Sequence, residues 1–312
     1  MLFRGTGVAT ITPFTKDGEK VDYASFKSLI DYQISGGVKA IIFVGTTGES
    51  PTLDHKEHRK VIDFGVEYVS GRVPVIAGTG SNNTREAVEL TKFAEEAGAN
   101  GVLIVSPYYN KPPQEGLYRH FMEVAASSAL PNIVYDIQGR TGVLIEPETR
   151  IRMLHGSENI AAFKEASGFD HFAECYAAIE EARKGGMVKQ EVKYFSGDDD
   201  ITHKIIEHGG HGAMSVLANI DPEAVNELIY AAVRRDKKAV DDLVNGSYGE
   251  KVRAVMQLER NPIPIKAAAH MMGLIDDGSL RLPLVSLGDV SREKEQQLYG
   301  VLMKYGLLNK PT

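Results

Sequence analysis

The sequence predicts an α/β protein built as a single (β/α)8 TIM barrel with a C-terminal helical extension. Three observations carry that expectation. Eight short apolar runs of strand length alternate with longer amphipathic segments of helix length. The runs are rich in Val and Ile and almost continuously apolar, as strands covered on both faces of a parallel sheet are. Their starts lie roughly 20–35 residues apart, the length of one βα unit with its right-handed crossover. Eight such units without a long insertion favour a closed barrel over an open doubly wound sheet.

In chain order the strand-like runs are GVATITP (7–13), VKAIIFVG (38–45), VPVIAG (73–78), GVLIVSP (101–107), NIVYD (132–136), NIAAFKE (159–165), VKYFSG (192–197) and GAMSV (212–216). Between them, segments such as YASFKSLIDYQISGG, HKEHRKVIDFGVEYVSG and TREAVELTKFAEEAGA repeat apolar residues at helical spacing, and each ends near a Gly, a common helix stop. Asp54 with Glu57, and Asn83 with Glu86, match the capping-box pattern at helix starts. After Val216 the pattern is helical only: DPEAVNELIYAAVRRD, KKAVDDLVNGSYGEKVRAVMQL and SREKEQQLYGVLMKYG, joined by the Pro-containing links NPIPIK and LRLPLV. The expected division is 1–220 for the strands and most helices of the barrel, and 221–312 for its last helix and the extension, in one compact unit. No low-complexity linker separates them.

With 43% apolar residues, the 312-residue chain can bury a large core. Its 35 basic and 42 acidic side chains leave a formal charge of −7 with no Lys/Arg-rich run. Nucleic acid and anionic membrane surfaces are therefore not expected partners, and any anionic ligand has to be held locally. The single cysteine, Cys175, excludes an intramolecular disulfide or a thiolate metal cluster. A reducing, cytoplasmic setting is expected, since no apolar run approaches the length of a membrane helix and the N-terminus lacks a signal-peptide pattern.

In a barrel, chemistry sits at the C-terminal ends of strands and in the loops that follow. Lys164 closes the apolar run of the sixth strand, where desolvation disfavours its charged form and makes the amine a nucleophile for a carbonyl carbon. Imine chemistry also needs proton carriers, and Tyr135, Tyr109 and Thr46 come from three neighbouring strand ends. The loop Gly45-Thr46-Thr47-Gly48-Glu49-Ser50 lacks the Lys and spacing of a phosphate-binding P-loop, yet its amides and hydroxyls suit a small carboxylate. Arg140 offers a bidentate clamp for a second carboxylate. Each feature has a structural alternative: a solvated rim lysine, tyrosines capping the core, a tight βα turn, a solvated arginine. Asp198-Asp199-Asp200 and the His55, His58 pair invite a metal reading. Helix-dipole stabilisation of the acids and the lack of a third ligand beside the histidines argue against it, so neither metal nor cofactor is expected.

Taken together, GTTGES (45–50), SPYYNKP (106–112), Tyr135, Arg140-Thr141-Gly142, FKEASG (163–168), GDD (197–199) and GGHGAMSV (209–216) resemble the dihydrodipicolinate synthase/N-acetylneuraminate lyase family of class I aldolases. The resemblance runs from near the N-terminus through the C-terminal helices. It implies a Schiff base between Lys164 and pyruvate, whose enamine adds to L-aspartate 4-semialdehyde in the first committed step towards diaminopimelate and lysine. Tyr135 then carries protons with Thr46 and Tyr109, Thr47 and Met214 contact pyruvate, and Arg140 binds the semialdehyde carboxylate. The resemblance further implies an obligate homo-oligomer, typically a dimer of dimers, with Tyr109 or Tyr108 reaching across an interface. Feedback inhibition by L-lysine is implied at Ser50, Pro51, His55, His58, Asn82, Glu86 and Tyr108.

One stretch departs from the family pattern. Where Asn-Val-Pro usually follows the tyrosine, this chain has Asp136-Ile137-Gln138-Gly139. A loosened loop and a new acid near an anionic substrate are the expected consequences. They keep a sister pyruvate aldolase, acting on N-acetylneuraminate or a 2-keto-3-deoxy sugar acid, as an alternative. A non-catalytic keto-acid or lysine-binding regulator is a second one.

Overall fold

Eight parallel strands close on themselves in sequence order, the last pairing with the first. They are β1 (Gly5–Ala9), β2 (Ala40–Phe43), β3 (Val75–Gly78), β4 (Gly101–Val105), β5 (Asn132–Asp136), β6 (Ile160–Glu165), β7 (Lys193–Ser196) and β8 (Gly212–Ser215). The computed structural model describes residues 2–309. Around the barrel run α1 (Tyr23–Ser35), α2 (His55–Val69), α3 (Thr84–Glu96), α4 (Gln114–Ala126), the single turn α5 (Gln138–Thr141), α6 (Pro147–Gly156), α7 (Phe169–Lys184), α8 (Thr202–Glu207) and α9 (Pro222–Val233). The extension adds α10 (Lys237–Asn245), α11 (Ser247–Met256), α12 (Ile263–Met271), the short α13 (Leu287–Val290) and α14 (Arg292–Lys304). Residues 310–312 of the expected 221–312 segment lie outside the described residues. No helix among the described residues is long and apolar enough to cross a membrane.

Strand alternation sorts the core into two layers. Ala40, Ile42, Ile76, Leu103, Ile133, Tyr135, Ala162, Phe195 and Met214 fill the barrel interior. Their neighbours Ile41, Phe43, Val75, Val102, Val134, Phe163, Tyr194 and Ala213 face the helices in a second, larger cluster.

Most strands are a residue or more shorter than the apolar runs that predict them, and three differences go further. β1 pairs only over Gly5–Ala9, and the buried residues beyond it leave the ladder, Ile11 N–H donating instead to Asn219 Oδ1 at 3.0 Å. The segment 237–258 is two helices, because a helix cannot pass Gly246 in its observed conformation (φ −108°, ψ −130°). NPIPIK is not a link but the start of α12: Pro262 precedes the helix and Pro264 lies in its first turn, where a missing N–H is tolerated.

The extension is tied to the barrel by buried groups. Tyr248 Oη donates to Asp199 O at 2.8 Å, and Lys251 Nζ meets Asp221 Oδ2 at 2.5 Å. Deeper still, Lys266 Nζ from α12 reaches Glu49 Oε1 at 2.5 Å with both side chains fully buried.

Candidate active site

The register of β5 against β6 places Tyr135 opposite Lys164 and Asp136 opposite Glu165. Because side chains alternate, the first pair faces the barrel interior and the second faces the helices. Lys164 Nζ lies 4.1 Å from the centroid of the Tyr135 ring, and both residues are 5% exposed. Burial pulls the Lys164 pKa down from 10.5 to about 8, against the opposing pull of Asp198 and Asp199, with Arg140 adding to the fall. At pH 7 about one amine in ten is then neutral, against fewer than one in a thousand for an ordinary lysine. Burial, reinforced by Asp198, raises the Tyr135 phenol well above its usual range, while a hydrogen bond with the Thr46 side chain opposes the rise. Tyr135 therefore stays a neutral phenol able to donate and receive a proton. Asp198 is itself raised to about 7, chiefly by burial and then by repulsion from Asp200.

The β2 loop supplies the facing wall. Gly48, Glu49 and Ser50 N–H groups close a turn on the Gly45 and Thr46 carbonyls, and Thr12 Oγ1 donates to Gly48 O at 2.7 Å. Gly78 lets this loop lean on β3, since a Cβ there would lie 2.4 Å from Val44 O. Thr47 is buried and its Oγ1 accepts from Asn261 Nδ2 at 3.0 Å, while Arg140 Nη2 donates to Asn261 O at 2.7 Å. Asn261 thus ties two expected ligand-binding residues together, and sequence reasoning missed it. Met214 is fully buried in the interior cluster with Tyr135. Tyr109 is not brought to this group within one chain: it is 90% exposed, with a left-handed φ of 73°.

A cavity of about 230 Å3 opens here, its lining including Thr46, Tyr135, Arg140, Ser50, Pro51 and Tyr108. Other expected effector residues meet this lining at Tyr108 and Gly78. His55 Nδ1 lies 3.4 Å from Glu86 Oε1, Ser81 Oγ donates to Glu86 Oε2 at 2.6 Å, and Asn82 Nδ2 donates to Tyr108 O at 3.1 Å. His58 is buried, its Nε2 2.8 Å from Gly78 O, and burial lowers its pKa. The Asp54 and Glu57 capping box forms as expected, but its counterpart does not. Asn83 caps α3 by accepting from Arg85 N–H, and its own N–H donates to Ser81 Oγ, so Glu86 has no capping role.

Two acidic expectations are corrected. Asp136 does not approach a substrate: it is fully buried outside the barrel wall, accepting from Arg150 Nη2 at 2.8 Å and Ile145 N–H at 3.0 Å, with His171 Nε2 at 3.3 Å. Nor is the loop after it loose. α5 forms without proline, with Thr141 N–H and Oγ1 both donating to Ile137 O, and Ser167 Oγ accepting from Gln138 N–H. Asp199 accepts from the N–H groups of Val216 and Leu217, each at 2.9 Å, bracing the loop after β8 rather than its own helix start.

A family model described as the dihydrodipicolinate synthetase family matches residues 2–303. The chain belongs to that family. The 4-hydroxy-tetrahydrodipicolinate synthase of Syntrophotalea carbinolica is 45% identical over 98% of this chain and 99% of its own length. The dihydrodipicolinate synthase of Acinetobacter baumannii complexed with pyruvate superposes with a TM-score of 0.88 at 39% identity, covering 98% of this chain and 100% of that one. The enzyme of Cyanidioschyzon merolae with lysine bound gives 0.89 at 35% identity, covering 98% and 99%. Membership of the dihydrodipicolinate synthetase family thus extends over barrel and extension alike.

Proposed function

We propose that this chain condenses pyruvate with L-aspartate 4-semialdehyde by Schiff-base catalysis, the reaction of the 4-hydroxy-tetrahydrodipicolinate synthases. The observation that carries the reading is the buried Lys164 amine held 4.1 Å from the Tyr135 ring centre at the barrel mouth. The neutral amine attacks C2 of pyruvate, and the carbinolamine loses water as Tyr135, wired to Thr46, supplies the proton. Loss of a C3 proton gives the enamine, whose C3 forms a bond to the aldehyde carbon. The amine of the semialdehyde portion then attacks C2, closes the ring and releases Lys164. Thr47 and Met214 contact pyruvate, and Arg140 at the exposed rim grips the semialdehyde carboxylate. Asp136 held outside the barrel removes the sequence's reason for expecting a different acceptor.

Tyr109 completes the proton relay from a second copy of the chain, in a homotetramer arranged as a dimer of dimers. Its near-complete exposure in one chain supports this part of the reading. L-lysine is the inhibitor, its ammonium taken by Glu86 near His55, Asn82 and Tyr108. The absence of a capping duty on Glu86 supports that assignment. The setting is cytosolic, where the buried Cys175 thiol stays reduced.

Incubation with pyruvate and borohydride, followed by mass spectrometry, should place a reduced adduct on Lys164, and the semialdehyde should consume the enamine. An absent adduct overturns the reaction, and turnover with a sugar aldehyde alone overturns the acceptor. Activity unchanged by millimolar L-lysine overturns the inhibitor.

A further inference from the structure

Directly behind the nucleophile lies a buried charge cluster that the chemistry does not touch. Arg150, on α6, is fully buried. Its Nη1 donates to Glu165 Oε1 at 2.5 Å, and its Nη2 to Glu165 Oε2 at 3.2 Å and Asp136 Oδ2 at 2.8 Å. Its Nε donates to Ile145 O at 3.2 Å, and its guanidinium lies 4.8 Å from the Phe163 ring centre. Asp136 and Glu165 immediately follow Tyr135 and Lys164, and each is the last residue of its strand. One planar fork therefore holds the ends of the two strands that carry the reacting groups.

The β5–β6 pair needs such a device. Its register shifts between Asn132 and Ile133: Asn132 pairs with Ile160 but Ile133 pairs with Ala162. A slip of one residue in a strand turns every side chain to the opposite face. The Arg150 fork closes only when Asp136 and Glu165 stand opposite each other on the helix side, which is the register that puts Tyr135 and Lys164 opposite each other inside. A buried ion cluster is also a poor source of stability, since apolar groups of similar volume commonly serve as well or better. What the cluster adds is a fixed geometry.

We propose that Arg150, through Asp136 and Glu165, is a positioning residue that sets Lys164 against Tyr135 for imine formation. The proposal rests on the Schiff-base reading, and the first measurement separates the two: a native enzyme without a Lys164 adduct defeats that reading before the clamp is touched. With the native adduct established, Arg150→Lys keeps the charge but loses the planar fork. Its kcat and single-turnover rate of adduct formation should fall about 10- to 100-fold at a temperature where circular dichroism shows it folded. KM for pyruvate should stay within about twofold, because the binding loop lies on other strands. The triple variant Asp136→Asn, Arg150→Met, Glu165→Gln removes the three charges of the fork at similar volume, and His171, 3.3 Å from Asp136, becomes neutral once that carboxylate is gone. This variant should unfold near the native temperature yet form the adduct as slowly as Arg150→Lys. A purely structural role predicts the reverse, with rate returning alongside stability. Native adduct-formation rates in either folded variant overturn the proposal.

Discussion

Lys164 and Tyr135 stand out because each interrupts an apolar strand run at its C-terminal end, where a barrel exposes side chains to ligand. The lowered lysine pKa has a measurable sign. The rate of borohydride-trappable adduct formation should rise about tenfold per pH unit up to roughly pH 8 and level off above it, whereas an amine near 10.5 would keep accelerating. A rate still climbing steeply at pH 9.5 would contradict the buried amine. Asp136 was misread, although strand alternation held the signal: if Tyr135 faces inward, the next residue faces out. Asn261 was illegible, because it stands 214 positions from Thr47 in a segment that reads as a proline link. Asn261→Ala removes the donor to Thr47 but leaves a backbone carbonyl for Arg140. The expected outcome in steady-state kinetics is a KM for pyruvate raised about 3- to 10-fold, as fits the loss of one hydrogen bond, with KM for the semialdehyde changed less.

All eight strands were legible because burial on both faces writes a continuous apolar run that no surface element shares. Their ends were less so, since Ile11 is as apolar and buried as a strand residue while bonding to a side chain. α12 was hidden by its own prolines, which punctuate a sequence whether they end a helix or begin one. That helix anchors the β2 loop through Lys266 and Glu49. Removing Lys266 leaves Glu49 a buried charge whose remaining side-chain hydrogen bond, among the described residues, is the one from the Arg281 N–H at 3.2 Å, so Lys266→Met should lower stability by about 3–5 kcal/mol in urea titrations. Glu49→Gln combined with Lys266→Met should recover most of that loss. Equal stability for the two variants would show that the pair does not behave as a buried ion pair.

Across the whole molecule, net charge is −7, yet several buried acids carry a cation of their own: Asp136 and Glu165 meet Arg150, Asp221 meets Lys251 and Glu49 meets Lys266. His171 is a second cation beside Asp136. Its hydrogen bond with Asp136, and then its contact with Cys175, raise its pKa from 6.5 to about 10. A raised folded pKa means stabilisation that is complete below about pH 6.5 and is lost as pH rises towards 10. His171→Gln keeps a neutral donor towards Asp136. The native protein should therefore exceed the variant by about 1.5–3 kcal/mol at pH 6 in chemical denaturation, a gap that closes by pH 10. A gap independent of pH would mean that the histidine is neutral throughout.

Gly78 lines the cavity and touches two elements that frame it. Its carbonyl meets the buried imidazole of His58, and its bare Cα lets the Val44 carbonyl of the nucleophile-facing loop settle against it. One peptide therefore bears on both the α2 imidazole and the loop after β2. The imidazole meets the carbonyl of the residue whose Cα the Val44 carbonyl settles against. A side chain as small as alanine at position 78 would press on the Val44 carbonyl and, through the same peptide, disturb the seat of His58.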